Sequence, residues 1–61
     1  MINATGSTYH GVLGWGAAIS WGDEPTNAYH ETPCNYKTEW EAIARAEYVA
    51  RTLWGAGVVW A

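Results

Sequence analysis

The sequence predicts a small α+β domain built from a three-stranded antiparallel meander, one amphipathic helix and a short fourth strand. Three observations carry this reading. Residues 13–21 alternate with the period of two expected of a strand, residues 38–54 repeat with the 3.6-residue period of a helix, and Gly57-Val58-Val59-Trp60-Ala61 follows as a β-prone run. The predicted order is β-β-β-α-β. Sixty-one residues leave room for a single domain, 1–61, near the size at which a hydrophobic core is only just sufficient.

Taken in order, Met1–Thr5 is expected to form a short strand that stops at Gly6-Ser7, ahead of a loop through Gly11. Leu13–Trp21 then places Trp15, Ala17, Ile19 and Trp21 on one face, with Gly16, Ala18 and Ser20 on the other. Gly22-Asp23-Glu24-Pro25 has turn chemistry, because Pro25 sets φ and Asp23 can bond the nearby backbone. A hairpin into Thr26–Thr32 follows, and Pro33 ends that third strand. The helix is expected to start at Thr38, since Thr38-Glu39-Trp40-Glu41 fits a capping box, with Asn35 as a rival N-cap. Ala42, Ala46, Val49 and Leu53, joined by Ile43 and Ala50, form its apolar stripe. Lys37/Glu41, Glu41/Arg45 and Glu47/Arg51 are opposite-charge pairs four residues apart. Gly55 is placed to end the helix after Trp54.

Composition narrows the function classes. A net charge of −3, with only Lys37, Arg45 and Arg51 as cations, weighs against a protein that grips nucleic acid through its phosphates. No apolar run approaches the roughly 18 residues that span a bilayer, and the N-terminus lacks the layout of a signal peptide, so neither membrane nor export is indicated. Cys34 is the single cysteine, so no internal disulfide can form and a cytoplasmic location is expected. Five Trp and four Tyr with no Phe suit half-buried surfaces and interfaces, because each of these rings keeps a polar tip. The candidate interface residues are Trp15, Trp21, Trp54, Val58, Val59 and Trp60.

Several chemical readings compete with plain structural ones. His30 and Cys34, with His10 and Glu31 in reserve, offer zinc-ligand types, but His-x3-Cys does not complete the four ligands of a structural site. Cys34 has no clear base or orienting acid to make it a nucleophile. Gly11, Gly14 and Gly16 lack the Gly-Lys-Ser/Thr of a phosphate loop and fit close backbone packing better. The tryptophans could stack on unpaired bases, although few cations accompany them. Glu39 falls in the first helical turn, where the helix dipole favours an acid.

Thr5-Gly6-Ser7, Gly14-Trp15-Gly16-Ala17 and the set Asn35, Glu39, Ala42 and Ile43 stand in the order and spacing of three family motifs. With the element order, they make the chain resemble the first half of the ribonuclease H family. The resemblance implies an Asp where Thr5 stands and a catalytic acid at Glu39, with a further Asp beyond the fourth strand, past Ala61. Family members hold two divalent metals on several carboxylates to clamp the attacking and leaving oxygens. Only Glu39 is matched, which leaves at most a weak divalent ion there, no confident catalytic residue and no expected cofactor. The leading expectation is therefore a non-catalytic binding or assembly module that self-associates as a dimer, with a protein partner as a further option. A nucleic-acid-binding or nuclease-derived remnant is the second reading. A HicB-type antitoxin is the third, since its partial ribonuclease H fold also runs β-β-β-α-β and Thr38, Glu41, Ala42 and Ala46 resemble its helix entry.

Overall fold

The computed structural model describes residues 3–22 and 28–61. The proposed turn at Asp23, Glu24 and Pro25 lies outside the described residues, as do Met1, Ile2, Thr26 and Asn27. The elements are β1 (Asn3–His10), β2 (Trp15–Trp21), β3 (Ala28–Glu31), α1 (Glu39–Trp54) and β4 (Gly57–Trp60). They form an α+β fold with one four-stranded sheet in the order β3-β2-β1-β4. β1, β2 and β3 pair antiparallel in sequence, while β4 lies parallel to β1 and makes the sheet mixed.

The first strand is longer than expected. It does not stop at Gly6-Ser7 but runs to His10, pairing Gly6 with Ile19, Ser7 with Ala18 and His10 with Trp15. Ser7 and Tyr9 alternate along this stretch with residues that face the helix, and cross-strand pairing, to β2 throughout and to β4 as far as Gly6, outweighs the weak intrinsic preference of a glycine for strand. Gly6 has a packing reason as well: a Cβ there would lie 2.8 Å from the Trp60 ring. A short turn closes the first hairpin, with the Gly11 N–H donating to the Gly14 carbonyl at 2.8 Å. Val12 and Leu13 stand exposed at its apex, so Leu13 belongs to the turn and β2 starts at Trp15.

Gly14 is required where it stands. Its φ is +145°, and a Cβ would come within 2.5 Å of the Tyr36 carbonyl oxygen. The close approach lets Trp15 and Tyr36 exchange backbone hydrogen bonds of 2.7 and 3.1 Å, which tie the segment before the helix to the start of β2. The third strand ends at Glu31, one residue short of the expected Thr32, and its expected start at Thr26 lies outside the described residues. Thr32 follows β3 as a buried residue whose hydroxyl accepts from the Ala17 N–H and donates to the Pro33 carbonyl.

The helix termini follow the local chemistry. Thr38 is the N-cap in an extended conformation, its hydroxyl accepting from the Glu41 N–H while the Glu41 carboxylate accepts from the Thr38 N–H, both at 3.2 Å. At the other end Gly55 adopts φ 63° and ψ 29°, and its N–H donates to the Arg51 carbonyl. Ala42, Ala46, Val49 and Ala50 are buried against Ala17 and Ile19 of β2, with Trp15, Tyr36, Trp54, Val58 and Trp60 packed around them. Leu53 departs from the expected stripe and is 63% exposed. Trp54 makes the contact of the last turn instead, its indole stacked on Trp21 with centroids 6.0 Å apart. The proposed charge pairs give way to other partners: Glu41 is used in the cap, Glu47 accepts from Trp60 Nε1 at 3.0 Å, and the Arg45 guanidinium lies over the Tyr48 ring.

Candidate functional site: the open sheet face and its β4 edge

Alternation along the strands gives the sheet two unlike faces. Ala4, Gly6, Ala17, Ile19, Val58 and Trp60 turn towards the helix. Thr5, Ser7, Tyr9, Gly16, Ala18, Ser20, Tyr29, Glu31 and Val59 share the other face through the pairings Thr5 with Ser20, Ser7 with Ala18, Ser20 with Tyr29 and Thr5 with Val59. Among the described residues, no second helix covers that face. Its small side chains leave a shallow groove of about 330 Å³, lined chiefly by Thr5, Ser7, Ala18, Ser20, Tyr29 and Ala61.

Hydroxyl groups dominate the groove. Thr5 Oγ1 and Ser20 Oγ lie 3.1 Å apart across β1 and β2, and the Tyr29 hydroxyl donates to the Glu31 carboxylate at 2.9 Å. That bond holds the Tyr29 phenol above its ordinary value, because the bonded proton is harder to remove. Tyr9 lies over Gly16, where a Cβ would sit 2.8 Å from the ring, and its hydroxyl reaches the Thr32 carbonyl. Partial burial raises the Tyr9 phenol, with the nearby Glu31 carboxylate adding to the effect.

The residues singled out from the sequence are divided between the two faces. Thr5 points to the open face, bonded to Ser20. Glu39 sits in the first turn of α1, where its carboxylate accepts a 2.6 Å hydrogen bond from the hydroxyl of Thr8, a residue on the alternate side of β1. The fold therefore does not bring Thr5 and Glu39 together. Trp15, Trp54, Val58 and Trp60 pack against the core cluster and Trp21 stacks on Trp54, whereas Val59 is 55% exposed. His10 stacks on Trp15 at 4.5 Å, and the Cys34 thiol donates to the Gly14 carbonyl. No group of three potential metal-binding side chains occurs among the described residues. No helix among them is long and apolar enough to cross a membrane.

β4 forms one outer edge of the sheet and β3 the other. The β3 edge carries Glu31 and is followed closely by Pro33, two features that discourage further pairing. The β4 edge, Gly57-Val58-Val59-Trp60, carries no charge and no proline, and its unbroken register with β1 has no bulge. Sequence reasoning had flagged Val59, but not the groove beside it. The signal was present in Gly16, Ala18 and Ser20, the small alternate residues of the second strand. No family model, curated protein or solved structure matches the chain.

Proposed function

We propose that the chain is a non-catalytic, self-associating binding module whose β-β-β-α-β order is that of the first half of a ribonuclease H-like domain. The observation that carries the reading is the β4 edge, an uncharged apolar strand that, among the described residues, has no neighbour on its outer side and lies beside an uncovered sheet face. Unpaired edges of this kind template pairing with another chain, and proteins that stay apart usually guard them as β3 is guarded. The core favours the same outcome. Among the described residues its buried apolar side chains are six alanines, Ile19 and Val49, a thin interior for a domain without a disulfide. A module with one cysteine, whose thiol is tied to the Gly14 carbonyl, suits the cytoplasm. Light scattering combined with the 260/280 nm absorbance ratio tests the reading. A dimer mass free of nucleic acid is expected, whereas a monomer mass at every concentration, or a nucleic-acid absorbance that persists through purification, would refute it.

A further inference from the structure

We infer that two copies pair antiparallel through β4 on a two-fold axis at Val59, extending the four-stranded sheet to eight strands; this rests on the self-association reading and adds its geometry. Backbone parity fixes the register. The Ala61 N–H donates to the Gly6 carbonyl of β1 at 2.9 Å. Successive residues of a strand turn their N–H and C=O groups to opposite edges, so Gly57, Val59 and Ala61 are directed to β1, while Val58 and Trp60 direct theirs outward. Only an antiparallel pairing can be two-fold symmetric here, and an axis at Val59 sets Val58 opposite Trp60 of the second copy. Both outward residues then exchange N–H and C=O bonds with their counterparts, and every outward group of Val58 and Trp60 is satisfied.

The same register makes Val59 and its symmetry mate a non-hydrogen-bonded pair, the closer of the two antiparallel spacings, at about 4.5 Å between Cα atoms. Both valines lie on the open face, where Val59 is 55% exposed in the single chain. On the helix side the axis sets Val58 beside Trp60, two half-buried apolar residues. β4 carries no charge, so the symmetric pairing opposes no like charges along it. The β3 edge is a poorer partner, since it carries the charge of Glu31 and is followed closely by Pro33, which has no N–H to donate. A four-residue edge is expected to bury less than the roughly 1,200 Å² of a standard interface, the size class of weak, transient contacts.

The test is a cysteine at the axis. In a Cys34→Ser background, which keeps a donor for the Gly14 carbonyl, Val59→Cys should give a disulfide-linked dimer under a glutathione redox buffer, because about 4.5 Å lies within the Cα range of a disulfide. Val12→Cys, at the exposed hairpin apex, should not cross-link in the same buffer. Val59→Lys, which sets two like charges at the closest contact, should weaken dimerisation by roughly tenfold or more while leaving the circular-dichroism spectrum intact. A dimer by light scattering in which Val59→Cys fails to cross-link, or Val59→Lys changes nothing, overturns this register and leaves self-association standing. A wild-type monomer at all concentrations overturns both.

Discussion

Thr5 and Glu39 separate what a residue type implies from what its position allows. Hydrolysis with two metals needs carboxylates converging on one point, so that the attacking and leaving oxygens are both clamped. Here the Thr5 hydroxyl faces the open side beside Ser20, and the Glu39 carboxylate is held by the Thr8 hydroxyl at the helix N-terminus. One carboxylate without phosphate or partner ligands holds Mg²⁺ poorly. We therefore expect no cleavage of RNA–DNA hybrids or single strands with Mg²⁺ or Mn²⁺. Metal-dependent cleavage that vanishes in Glu39→Gln would show the reading to be wrong. The sequence made the residue types legible but not their mutual placement, because spacing along a chain does not say which hydroxyl will reach a given carboxylate. Thr32 is a similar case: nothing local in Glu31-Thr32-Pro33 announces that its hydroxyl will close the β2–β3 ladder at Ala17.

At the scale of elements, what was legible is what local chemistry determines. The capping box at Thr38 and Glu41 and the left-handed Gly55 depend on neighbours within a few residues, and both appear where the sequence puts them. The extent of β1 was not legible, since Gly6 and Ser7 read as a stop until Ile19, Ala18 and Trp60 are brought beside them. The helical stripe was legible through its middle and misleading at its end, where Trp54 rather than Leu53 meets the sheet. This contrast can be measured. Ala46 has no exposed surface, so Ala46→Asp buries an unpaired charge and should abolish the cooperative melt. Leu53→Asp falls on an exposed position and should change stability by about 0.5 kcal/mol or less. Circular-dichroism melts that rank the two variants the other way would mean that the helix is rotated from its described packing.

For the whole molecule, the thin core and the bare edge have a joint consequence for stability. Among the described residues, six of the eight buried apolar side chains are alanines, while the large rings of Trp15, Tyr36, Trp54 and Trp60 are only partly covered. Burial of such small side chains removes little apolar area per residue, and the chain has no internal disulfide to restrict its unfolded state. Any contact made only by the folded form then adds a sizeable fraction of the total, and a second copy is such a ligand. The melting temperature should therefore rise with protein concentration, by roughly 3–5 °C for each tenfold increase once the dimer dominates. Val59→Lys should flatten that dependence without changing the melting temperature of the dilute protein, because Val59 is exposed on the single chain. Melting temperatures of the wild type that stay constant from about 10 to about 1,000 µM would mean that the folded monomer draws no stability from a partner and that its alanine-rich core suffices alone.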